Sequence, residues 1–221
     1  MRFHVITIFP EMFDSYMKGS ILGRAIKDKK ITIKFYNPRD FIKAPKNNYR
    51  PVDDRPYGGG PGMVMRAEPI LKAVEKSISK IKSKKIKIIL FSTSGKKFTT
   101  SYAKTSAKKY TDIILISGRY EGIDARVQKI LKAEEISIGN YVLTGGELPA
   151  MILIDAVCRR LTGVLGKEES LEEKRLGLGV PVYTRPEVFV WPPPGRGKKE
   201  KKYRVPKILL SGNHLKITQW R

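Results

Sequence analysis

The chain has 221 residues, with 44 Lys and Arg against 21 Asp and Glu, a formal net charge of +23. With 41% hydrophobic residues it has the material for an ordinary core, which excludes whole-chain disorder. One cysteine, Cys158, and two histidines exclude both an intramolecular disulfide scaffold and a structural zinc set. The opening MRFHVITIFPEMF breaks at Pro10 and carries Glu11, so it lacks the apolar region of a signal peptide. Apolar runs such as 113–116 fall far short of the about 20 residues a membrane helix needs, so the expectation is no membrane association and a cytoplasmic location. The positive charge is spread through a patterned globular sequence, which points to nucleic acid rather than a membrane surface.

In chain order, residues 3–9 (FHVITIF) read as a buried strand ending at Pro10. Residues 12–27 show apolar side chains at helical spacing, and 31–36 alternate as a second strand up to the turn signal Asn37-Pro38. From 39 to 65 the pattern dissolves into a proline- and glycine-rich stretch, the kind of long loop that is usually functional. Helix follows at 68–80, strand at 85–93 ending in Ser94-Gly95, helix at 101–110 and strand at 112–117. A short helix at 124–131, a strand at 134–138 and an apolar helix at 147–161 come next. The charged run 167–175 reads as a solvated linker, and 207–210 (KILL) as a short strand in a small appended unit.

Alternating strands and helices define an α/β domain with a mostly parallel sheet. Three glycine-bearing loops, 92–95, 118–122 and 138–146, fall at predicted strand ends, where open α/β sheets bind ligands. No G-x-G-x-x-G opens a helix and no P-loop motif occurs, which excludes the two common nucleotide fingerprints. Asp53 and Asp54 lie between Arg50 and Arg55 and read as ion-paired rather than metal-binding. His4 and His214 read as structural, and Cys158 as a small buried hydrophobe. Arg159 and Arg160 end the apolar helix; one of the two must face the packed side and therefore needs a partner or a site. The basic stretch 195–202, bracketed by Trp191 and Tyr203, combines phosphate-neutralising lysines with stacking faces.

The blocks IFPEMF (8–13), DDRPYGGGPGMVM (53–65), GRYEGID (118–124), SIGNYVLTGGELPAM (137–151), YTRPEVF (183–189) and LLSGNH (209–214) resemble the bacterial tRNA (guanine-N1)-methyltransferases. The resemblance implies a SPOUT fold: an α/β sheet with a deep C-terminal trefoil knot, plus a small C-terminal domain. It divides the chain into a knotted methyltransferase domain at 1–166, a flexible linker at 167–177 and a tRNA-binding domain at 178–221. It further implies a homodimer with sites at the interface, S-adenosylmethionine as methyl donor, assistance by Mg²⁺, and methylation of N1 of the guanosine 3′ of the anticodon (guanosine-37). The partner is tRNA, not DNA.

Carried onto this chain, the resemblance implies that Gly118, Ile138, Gly139, Asn140, Tyr141, Val142 and Leu143 form the cofactor loops. Tyr120, Glu121, Gly122, Gly145, Gly146 and Pro149 belong to the same knot motifs. Asn140 stands where the family commonly has an acid. Arg159 matches the catalytic arginine, and Glu121 is placed to favour a sulfonium or hold the metal. The family's base is an aspartate a few residues past a serine, here Ser170; Lys174 falls at that position, leaving Glu172 and Glu173 as the nearest carboxylates, with Glu173 taken as the base. Two further readings stand beside this one: a tRNA-binding SPOUT protein of weak catalysis, supported by the missing aspartate, and an enzyme acting on ribosomal RNA, opposed by the 53–65 and 183–189 blocks.

Overall fold

A computed structural model describes residues 1–43, 50–165, 180–192 and 199–220. The chain divides into two compact units, Met1–Leu165 and Gly166–Arg221. The predicted linker and Glu173 lie outside the described residues, as do residues 195–198 of the basic stretch.

The first unit is built on five parallel strands: β1 (Arg2–Ile6), β2 (Thr32–Tyr36), β5 (Ile86–Lys97), β6 (Asp112–Ile116) and β7 (Glu134–Ser137), in the order β2-β1-β6-β5-β7. Every residue of the central strand β6, DIILI, is buried, because helices cover both faces of a parallel sheet. One face packs Phe3, Val5, Ile89, Ile113 and Leu115 against helices α1 (Asp14–Met17), α2 (Ser20–Lys27), α4 (Thr100–Lys109) and α6 (Glu147–Cys158). The alternate residues Ile6, Leu90, Ile114 and Ile116 pack against α3 (Ala67–Ile78) and α5 (Arg126–Leu131). The period-two alternation of strand side chains thus feeds two separate cores.

Several expectations need correction. The helix predicted over 12–27 is three pieces: a 3₁₀ turn (Pro10–Phe13), α1 and α2, with the break marked by Ser20 at φ +46°. Strand β5 does not stop at Ser94-Gly95 but continues, past a register shift, to pair Lys96 and Lys97 with Ile136 and Ser137 of β7. Gly95 makes this possible, because a Cβ there would sit 2.6 Å from the backbone of Glu135 and Ile136. The 39–65 stretch contains a 3₁₀ turn (Pro38–Phe41) and a small antiparallel pair, β3 (Asp53–Asp54) with β4 (Val64–Met65). Arg50 faces Asp40 at 4.0 Å and Asp54 accepts the Arg55 backbone N–H, in place of the ion pairing expected of Asp53 and Asp54.

In the second unit β8 (Val188–Trp191) and β9 (Lys201–Arg204) form an antiparallel hairpin. The strand predicted at 207–210 is a helical turn, Lys207–Leu210, followed by the helix His214–Trp220. A four-residue apolar run carries no periodicity that separates strand from helix.

Candidate functional site

A cleft of about 390 Å³ opens where the carboxyl ends of β5, β6 and β7 meet. Three connections form its walls: Ser92 and Thr93 of β5, the turn after β6 from Gly118 to Ala125, and the loop after β7 up to Gly146, with Pro149 of α6. Two of the three stretches singled out from the sequence, 118–122 and 138–146, thus meet as glycine-bearing loops at one place, while the third, 92–95, lies within β5 and contributes only Ser92 and Thr93. Of the residues named for cofactor binding, Gly118, Tyr120, Glu121, Gly122, Ile138, Gly139, Tyr141, Val142, Leu143, Gly145, Gly146 and Pro149 all line the cleft. Asn140 is exposed and does not line the wall.

The loops are locked to each other through backbone. Gly146 donates its N–H to Gly118 O at 2.8 Å, and the Ser117 hydroxyl donates to Gly146 O at 3.2 Å. A Cβ on Gly146 would stand 2.6 Å from Ser117 Cα, so glycine is required by close backbone approach. Tyr120 occupies the left-handed region at φ +60°, uncommon for a non-glycine residue and a form of strain that recurs at functional sites.

The 53–65 stretch is zippered onto the turn after β6. Glu121 donates its N–H to Met63 O at 3.0 Å, Met65 to Gly122 O at 2.9 Å, and Asp124 to Met65 O at 3.0 Å. Gly62 is thereby brought against the cleft, since a Cβ on it would stand 2.5 Å from the Glu121 side chain, while the glycines at 58–60 sit at positive φ with open space around them.

Two charged residues outside the sequence-derived set, Arg119 and Glu147, brace the floor. Glu147 is 1% exposed, and its carboxylate accepts from the Thr7 hydroxyl at 2.8 Å. Arg119 Nε faces the other oxygen at 2.9 Å without hydrogen-bond alignment, so that contact is an ion pair held by proximity. The guanidinium also lies 4.8 Å from the Phe9 ring centroid and donates to Met12 Sδ at 2.8 Å. Their signal in the sequence was an Arg inside GRYEGID and an acid opening an apolar helix, but nothing there paired the two.

Among the proposed catalytic residues, Glu121 is exposed on the cleft wall. Arg159 lies just past the last residue of α6, at the opposite end from Pro149, and does not line the cleft. At about 1.5 Å per residue, the 12-residue helix sets the two ends about 18 Å apart. Arg159 is half-buried, and its side chain has no hydrogen bond or ion pair among the described residues. Within those residues no three His, Cys, Asp or Glu side chains come together to cage a metal. No described helix is long and apolar enough to cross a membrane.

A parallel α/β sheet with a backbone-lined cleft at its strand carboxyl ends defines a ligand-binding protein of the open-sheet class. The profile of the family described as "tRNA (Guanine-1)-methyltransferase TrmD" matches residues 1–221, and the chain belongs to that family. Relatives named tRNA (guanine-N(1)-)-methyltransferase include one from Clostridioides difficile, 46% identical over 100% of this chain and 90% of the relative. Another, from Dictyoglomus turgidum, is 47% identical over 100% of this chain and 83% of its own length. One from Pseudoalteromonas atlantica is 45% identical over 99% of this chain and 78% of its own.

Proposed function

We propose that the protein transfers a methyl group from S-adenosylmethionine to N1 of the guanosine 3′ of the anticodon in tRNA. The observation that carries the reading is the meeting of the two glycine loops after β6 and β7 with Ser92 and Thr93 of β5 in one cleft, in a chain that matches the methyltransferase family from end to end. The cleft suits such a cofactor: backbone groups at 138–146 approach closely because glycines leave room, and the Glu121 carboxylate supplies a counter-charge for a sulfonium. S-adenosylmethionine supplies the electrophilic methyl. Glu121 is also the carboxylate that would hold Mg²⁺, which would supply positive charge at the reacting centre.

At guanine, loss of the N1 proton moves negative charge toward O6. The Arg159 guanidinium stabilises that charge and Glu173 takes the proton. Arg159 cannot serve the cleft of its own chain from the far end of α6, and this supports a homodimer in which each chain completes its partner's site. Leu148 and Ile152 are 49% and 44% exposed, and at helical spacing they share a face of α6 with Arg159. Close backbone clasping between the end of β6 and the start of α6 is in keeping with a knotted SPOUT fold. The reading keeps a methyltransferase domain at 1–166, a linker at 167–177, a tRNA-binding domain at 178–221, and a cytoplasmic location. In that domain the exposed, stacked Phe189 and Trp191 rings, with centroids 6.1 Å apart, and the neighbouring Lys201 and Lys202 suit an RNA strand.

Calorimetric titration with S-adenosylmethionine tests the cleft. The wild type is expected to bind, and Gly146→Ala to bind about fivefold to 150-fold more weakly, since an intruding methyl costs about 1–3 kcal/mol in packed surroundings. A Gly146→Ala protein with native circular dichroism and undiminished affinity would remove the cleft from the account.

A further inference from the structure

A second cleft, of about 470 Å³, lies between α4 and the β5–β7 edge of the sheet. It is distinct from the first: its strand residues are Lys87 and Lys96 of β5 and Glu134, the first residue of β7, and it shares no lining residue with the glycine-loop cleft. The facing helix contributes Ser101, Thr105 and Lys109, spaced by four and therefore aligned on one face.

Charge in this cleft is unbalanced. Its carboxylate, Glu134, is already occupied: Lys87 Nζ stands 2.5 Å from Oε2, and the Tyr102 hydroxyl donates to the same oxygen at 2.8 Å. Those contacts outweigh the burial that would raise the Glu134 carboxyl and hold it below the usual carboxylate range. Lys96 and Lys109 make no direct ion pair among the described residues, although Lys96 is near enough to Glu134 for its charge to help lower that carboxyl. Each instead rests near a tyrosine ring, Lys96 Nζ 5.8 Å from the Tyr102 centroid and Lys109 Nζ 5.6 Å from that of Tyr110. The Ser101 and Thr105 hydroxyls have no hydrogen-bond partner there either. Helix α4 carries no acidic residue, and its first turn is capped by the Thr99 hydroxyl, which accepts from the Tyr102 N–H.

Two ammonium groups with no direct ion pair and two hydroxyl donors with no hydrogen bond among the described residues, set in a concave wall, form a receptor for a phosphate group. We propose that this cleft binds a phosphodiester of the tRNA backbone, a second point of RNA contact remote from the methyl-transfer cleft. The inference rests on the reading of the protein as a tRNA enzyme.

The test measures the affinity of an unmodified tRNA transcript as a function of KCl concentration for three proteins. These are the wild type, Lys96→Ala/Lys109→Ala, and a control that removes the same charge from α3 and the turn after it, Lys76→Ala/Lys80→Ala. Loss of one or two phosphate contacts is expected to make the log–log salt slope shallower by about 1–2 and to weaken binding about threefold to tenfold at moderate salt, with little change in the control. In parallel, inorganic phosphate is titrated into the wild type while backbone amides of 99–110 are followed by NMR; shifts confined to that segment are expected. Equal losses in both double variants would reduce the effect to net charge and overturn the inference. Phosphate-dependent shifts with unchanged tRNA affinity would overturn it in favour of a small phosphorylated ligand. Failure of the wild type to bind tRNA would instead strike the functional reading.

Discussion

Asp112 shows how a single residue ties sequence-distant strands together. It has no exposed side-chain surface, yet it collects hydrogen bonds from Arg2 at 2.6 and 2.8 Å, from Thr111 at 2.8 Å, and one shared with His4 at 3.0 Å. Burial alone would raise its carboxyl; the bonds from Arg2, His4 and Thr111 outweigh burial and hold it at about 2. An unfolded Asp titrates near about 3.9, so the fold favours the ionised form: this group adds stability above about pH 4 and loses it as the pH falls toward about 2. His4 acts in the same direction, because burial lowers it against the pull of Asp112 and the neutral ring is the favoured form. Its contribution is present above about pH 6.5 and fades as the pH drops below that. Asp112→Asn is expected to cost on the order of 2 kcal/mol at pH 7 and to flatten the pH dependence of the urea midpoint between about 4 and 2. A variant whose midpoints run parallel to the wild type across that range would contradict the coupling. Cys158, whose thiol burial pushes up to about 12, takes no part in chemistry at neutral pH.

At the scale of elements, the parts legible in the sequence were those with a strong period or a sharp stop. The β-branched runs of β1 and β6 and the helix α4, with its Thr99 cap, lie within a residue or a few of their expected places. The glycine loops after β6 and β7 were legible as a site because glycines at successive strand ends are hard to explain by turns alone, whereas Gly95 marks a close approach inside β5 rather than a strand end. What escaped depended on contacts between distant segments. Nothing local announces that β5 runs through Ser94-Gly95, since the pairing partner is Ile136 in another strand. Nor does composition reveal that the 53–65 stretch is pinned through Met63 and Met65 to the turn carrying Glu121. Arg119 and Glu147 were missed for the same reason: their meaning lies in a 2.9 Å contact across 28 residues of chain. The helix at Lys207–Leu210 was misread because four apolar-rich residues fit either period.

At the scale of the whole molecule, the distance between the cleft and Arg159 carries the argument for a shared site. Glycine loops gather at one end of α6 while Arg159, without a side-chain partner among the described residues, sits just past the other, on a face that also exposes Leu148 and Ile152. Two inactive variants test this directly. Arg159→Ala spoils the arginine and Gly146→Asp spoils the cleft; co-expressed in equal amounts, they form mixed dimers in about half of all pairings, each with one intact site out of two. Recovery of roughly a quarter of wild-type activity is expected if each arginine serves the partner's cleft. No recovery from a mixture that demonstrably forms mixed dimers would place Arg159 in its own chain's site.

The central claim is tested most directly by transfer of labelled methyl from S-adenosylmethionine to two tRNA transcripts that differ only in the base 3′ of the anticodon, guanosine or adenosine, with Mg²⁺ present. Label is expected in the guanosine transcript alone, recovered as N1-methylguanosine, and Glu173→Gln run alongside is expected to lose most of it. Equal labelling of both transcripts, or none in either while cofactor and tRNA both bind, would contradict the account; undiminished transfer by Glu173→Gln would remove that residue as the base.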